Sequence, residues 1–150
     1  MIMDKLIEFA DGVTMTQASD TSAVILGNVI DTAASPTLKN LGNGEPVYLV
    51  VQIDTTMTAG ASAITFGLCS DSTANLATSK TVHILLPTLT TVTAVKGYTY
   101  VAALPSTETY ERYLGMWQTA SGATLTAGAV SAFLTTKAPF QYATFLPDAV

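Results

Sequence analysis

His83 and Cys69 carry the only imidazole and the only thiol of this 150-residue chain. A single imidazole excludes histidine-cluster metal centres, which need two or more. A Ser–His–Asp triad can be drawn from His83 and any of many serines, but the sequence holds no GxSxG elbow, so the drawing selects nothing. Cys69 stands in "FGLCSD", which alternates like a strand, and reads as a small half-buried side chain rather than a nucleophile. Having no partner thiol, it forms no internal disulfide. Asp54, Asp71, Glu108 and Glu111 are candidates for the paired carboxylates of glycoside hydrolysis. Their spacing chooses no pair, and carboxylates in turns cap backbone donors. The "GNG" at 42–44 precedes a strand and has no Lys-Ser/Thr after it, so it is not a phosphate loop. "DTAASP" and "CSDSTAN" offer oxygens to Ca²⁺ without the ordered acidic spacing of a calcium loop. No catalytic residue, metal ligand or cofactor is assigned, and the chain is expected not to be an enzyme.

The densest gathering of rare residues is "YERYLGMWQ", 110–118, with two tyrosines, the only tryptophan and an adjacent acid–base pair. In a strand, Tyr110, Arg112, Leu114, Met116 and Gln118 share one face and Glu111, Tyr113, Gly115, Trp117 and Thr119 the other. Glu111 and Arg112 then point apart, and each needs a partner on another strand, loop or subunit. Two readings follow. One is an interface hot spot, for which Tyr, Trp and Arg are the enriched types. The other is a central strand with Trp117 or Met116 in the core and tyrosines at the rim.

The elements that must position these residues are strands. Thr, Val, Ala and Ser dominate, and β-branched residues favour a pleated surface. The spacing predicts strands over 22–31, 46–54, 62–69, 81–86, 97–104, 110–119 and 128–136, with weaker candidates at 6–10 and 88–95. Val47, Leu49, Val51 and Ile53 alternate with Tyr48, Val50, Gln52 and Asp54; Ile64, Phe66 and Leu68 with Thr65, Gly67 and Cys69; Val82, Ile84 and Leu86 with Thr81, His83 and Leu85. One buried and one semi-polar face is the antiparallel pattern. Gly, Asn, Asp and Pro turns separate the runs. The expected fold is all-β: a single-domain, jelly-roll-like antiparallel β-sandwich over residues 1–150 with an extended N-terminal arm.

Only 11% of residues are charged and 49% are hydrophobic, against about 25% charged in an ordinary soluble domain. So bland a surface is expected to be covered by a partner or by further copies of the chain. The net charge is −5, and the six basic residues are scattered. That excludes nucleic-acid binding and polybasic membrane attachment. No run is long enough to span a bilayer, and "MIMDKLIEFADG" lacks the pattern of a signal peptide.

Several stretches resemble one phage family. "MIMDKLIEFAD", "LGNGEPVYLVVQIDT" (41–55), "VAALPSTETYERYLGMWQT" (101–119), "LTAGAVSAFLT" (125–135) and the terminal "PDAV" are similar, in matching order, to the Bbp16-type bacteriophage capsid cement (decoration) proteins. Residues 70–96 are less similar. The resemblance implies a non-enzymatic jelly roll on the outer capsid surface of the virion. There it would bind an HK97-like phage major capsid protein, associate with itself as a homodimer or homotrimer, and clamp neighbouring capsomers. Made in the host cytoplasm, such a protein reaches the exterior by lysis. The residues expected at interfaces are Met1, Ile2, Leu6 and Phe9 of the arm, Tyr110, Glu111, Arg112 and Tyr113, and Phe140, Tyr142 and Phe145 near the end, because apolar chain ends need anchoring. The rival reading is a carbohydrate- or receptor-binding sandwich using Tyr98, Tyr100, Tyr110 and Trp117.

Overall fold

A computed structural model describes residues 5–15, 23–33, 45–58 and 62–137. A 3-10 turn (Lys5–Ile7) leads into strands β1 (Glu8–Thr14), β2 (Val24–Asp31), β3 (Tyr48–Thr58), β4 (Ser62–Asp71), β5 (Thr81–Leu85), β6 (Leu89–Thr90), β7 (Thr99–Ala103), β8 (Tyr113–Gly122) and β9 (Ala127–Thr135). They form two antiparallel sheets: β1-β9-β3-β7, and β2-β8-β4-β5 with the short β6 also on β4. With β6 set aside, each sheet takes strands alternately from the early and late parts of the chain, which is the jelly-roll arrangement. The expected β-sandwich is what forms.

The sheets face each other across a dry core. Leu49, Val51 and Ile53 of β3 and Val130, Ala132 and Leu134 of β9 meet Ile64, Phe66 and Leu68 of β4 and Leu114 and Met116 of β8. Leu26 of β2 and Ile84 of β5 extend that interior to both edges. Burying one large aliphatic side chain contributes about 1.5–3 kcal/mol, so these alternating rows are the main source of stability.

Three expectations change. The arm through Asp11 is not free, because β1 pairs with β9 and Phe9, fully buried, belongs to the core. Of 88–95 only Leu89–Thr90 is strand, since Thr93 turns the chain instead. Thr90 N donates to Thr93 Oγ1 at 2.8 Å and Ala94 N to Thr90 O at 2.8 Å, a local alternative to a ladder. Val82 leaves the face of Ile84 and Leu86. Cys69 pairs with Val82 but Leu68 pairs with Ile84, so His83 is the extra residue of a β-bulge. Val82 is 44% exposed as a result.

Candidate functional site

At one end of the five-stranded sheet the core rows give way to polar groups. Ile30, Leu114 and Ser70 stand in one register row, and Asp31, Tyr113 and Asp71 in the next. Asp71 is fully buried and organises the loop after it. Its Oδ1 accepts from Thr73 N (2.9 Å) and Thr73 Oγ1 (3.1 Å), its Oδ2 from Thr78 N (2.9 Å) and Ser79 N (3.0 Å). Burial opposes its ionisation, but the donors of Thr73, Ser79 and Thr78 together prevail and hold the carboxyl well below the usual carboxylate range. The "CSDSTAN" carboxylate is thus spent on its own backbone. No three His, Cys, Asp or Glu side chains among the described residues are grouped to hold a metal ion.

The bulge drives His83 inward, where its side chain is 1% exposed. Its Nε2 bonds Ser70 Oγ at 2.7 Å and its Nδ1 bonds Glu108 Oε2. The ring packs on Tyr110, 4.3 Å between centroids. The order Ser–His–Glu is that of a hydrolase triad, which sequence reading dismissed as undirected. Ser70 is fully buried, and its Oγ also accepts from Glu111 N at 3.0 Å. Tyr110 closes the network by donating to Pro105 O at 2.8 Å, and burial, with the Glu108 charge nearby, pushes its phenol up to about 12. The ensemble ties the 104–112 loop to β4 and β5.

Glu111 and Arg112 do part, but they precede β8, which begins at Tyr113, so the expected strand over 110–119 starts three residues late and loop geometry separates them. Glu111 accepts from Ser79 Oγ at 3.0 Å. Arg112 donates to both oxygens of Asp31, at 2.9 and 2.8 Å, and lies over the Tyr113 ring. Both partners of Arg112 are within the chain. Tyr110 packs against the core, and Tyr113 is half-buried. Leu6 is 59% exposed; Phe9, as core, cannot be a contact surface in the folded chain. Met1, Ile2, Phe140, Tyr142 and Phe145 lie outside the described residues. Of the four aromatics of the carbohydrate reading, Tyr98, Tyr100 and Tyr110 are partly buried against the core, whereas Trp117 lies across Gly67.

Trp117 takes the outer face and Met116 the core, which decides between them. The indole lies across Gly67 of β4, where any Cβ would stand 2.5 Å from the ring. The indole N–H has no acceptor among the described residues. Lys80 Nζ sits 5.4 Å from the ring centroid. Between Trp117 and the 75–80 loop opens a cavity of about 360 Å³, lined also by Ile25, Cys69, Asn75 and Leu76. Burial pushes the Cys69 thiol up to about 11, which disfavours its thiolate near neutrality. Ile25, Trp117, Gly67 and Leu85 form one register row across β2, β8, β4 and β5, and Ile25 (37%) and Leu85 (61%) are exposed. Sequence alternation marked this face as semi-polar; without the register it did not show the Gly67 gap that receives the indole.

No curated protein matches the chain. Its sequence does match the Bbp16 family over residues 10–134, from within β1 almost to the end of β9, and the chain belongs to that family.

Proposed function

We propose that this chain is a phage capsid cement, or decoration, protein. It binds the outside of an HK97-like major capsid protein shell and clamps adjacent capsomers non-covalently against the pressure of packaged DNA. The observation that carries this reading is membership of the Bbp16 family over most of the chain, joined to the similarity of its most distinctive stretches to cement proteins. The fold supports it. A sandwich so poor in charge leaves Ile25 and Leu85 exposed in the row of Trp117, with Val82 exposed on the same sheet, apolar surface of the kind that protein partners cover.

The role is binding rather than catalysis. Ser70, whose hydroxyl bonds the histidine, is enclosed and already accepts a backbone N–H. Clamping needs no single tight contact. A standard interface buries about 1,600 Å², and repetition over a symmetric shell multiplies modest affinities. Self-association as a homodimer or homotrimer adds to that effect. The test compares particles with and without the chain. Full particles lacking it should release DNA at lower temperature and, as external salt is diluted and DNA repulsion grows, at a higher remaining salt concentration, and added protein should restore retention. Equal release by both kinds of particle contradicts the proposal.

A further inference from the structure

We infer that the cavity between Trp117 and Lys80 is the socket through which this chain grips its partner, and that the occupant is an acidic segment of the shell protein. The inference rests on the shell-binding reading and adds the face used and the chemistry recognised.

Lys80 carries the charge argument. Arg112 is held by Asp31, whereas Lys80 has no carboxylate partner among the described residues and stands over the indole at the rim of the cavity. An ammonium beside an aromatic ring, in a pocket lined also by Ala23, Ile25, Cys69, Leu76 and Ala77, favours a carboxylate flanked by apolar groups. Asn75 is fixed as a second donor. Its Oδ1 accepts from Ala77 N (3.1 Å), which leaves the amide NH₂ to donate.

The wall of the socket is preorganised. Asp71 holds the backbone of Thr73, Thr78 and Ser79, and Leu76 packs over Gly115, where a Cβ would stand 2.4 Å from its Cδ1. A partner therefore meets a set loop and loses less entropy on binding. Trp117 and the exposed row from Ile25 to Leu85 supply the apolar surround that excludes water from the ion pair. The floor strands β4 and β8 are paired on both sides. Recognition in the socket is consequently through side chains and not through an added strand.

The test is co-sedimentation of the full-length chain with undecorated shells of the major capsid protein, at low and raised salt. Wild type should bind, more weakly as salt rises. Lys80→Glu should weaken binding by at least about tenfold and Lys80→Met by less, since charge reversal costs more than neutralisation. Lys80 is exposed, so both variants should melt with wild type; Trp117→Phe provides a third reading independent of charge and should also weaken binding. Wild-type binding that Lys80→Glu leaves unchanged overturns the socket and spares the shell-binding reading. Failure of wild type to bind overturns both. If Lys80→Glu instead changes the mass of the free protein in light scattering, the socket receives a second copy, and the assignment to the shell is wrong.

Discussion

Two regions of the same sheet, a few residues apart along the same strands, are built on opposite principles. In the row Leu26–Met116–Leu68–Ile84 every side chain faces the other sheet, and none is more than 9% exposed. Further along, the rows through Ser70 and Asp71 hold their place by hydrogen bonds to loops. The dry row needs only shape and apolar volume, which many residue combinations satisfy. The polar end needs each donor matched to an acceptor, and losing one partner strands the other. The first region makes the sandwich. The second fixes the 72–80 and 104–112 loops, and hence the wall of the Trp117 cavity.

Substitutions should separate the two regions. The largest effect belongs to the dry row: Leu114→Ala should cost about 2–5 kcal/mol in denaturant unfolding, by lost burial and the cavity left behind. Next comes Asp71→Asn, which sets an amide donor among backbone donors. The Asp71 carboxyl titrates lower in the folded chain than in the unfolded one. Its stabilisation is therefore complete above the unfolded value, about 3.9, and is lost as pH falls through and below it. The melting difference between wild type and Asp71→Asn should be constant near neutrality and shrink below about pH 4. A difference that does not change with pH would mean that Asp71 acts by shape alone. His83→Leu should cost about 1–3 kcal/mol, because Ser70 and Glu108 lose their common partner. It should also speed proteolysis in the 104–112 loop, a readout that a purely apolar defect in the sheet would not share. Arg112→Ala should be smallest. Its side chain is 55% exposed, and such pairs contribute little at ordinary salt. A melting shift as large as that of His83→Leu would move Arg112 from the rim of the network to its centre.

This contrast also explains what could be read before any coordinates. Alternation found β3 and β4 with their buried faces, because a period of two is a property of the strand itself. It misplaced Val82, since one bulged residue inverts the faces beyond it. It extended the arm through Phe9, whose burial depends on pairing with β9, more than a hundred residues later. For "YERYLGMWQ" it parted Glu111 from Arg112 by a strand alternation that does not reach them. It could not name Asp31 as the partner of Arg112, 81 residues away, nor bring Ser70 to His83 and Glu108. The strand begins only at Tyr113, so Tyr110 to Arg112 answer to loop geometry and their partners are set by closure of the chain. The Gly67 gap under Trp117 needed the β4–β8 register. Periodic, local features were legible; pairings made by topology were not.

The central claim is that this sandwich is an external clamp on a phage shell. A cryo-EM map of the particle at side-chain resolution tests it most directly. The account predicts β-sandwich density on the outside of the shell, bridging adjacent capsomers, with the Ile25–Trp117–Leu85 face turned toward capsid protein and a carboxylate beside Lys80. Density for the chain inside the shell, at the tail alone, or nowhere on a stable full particle would contradict it.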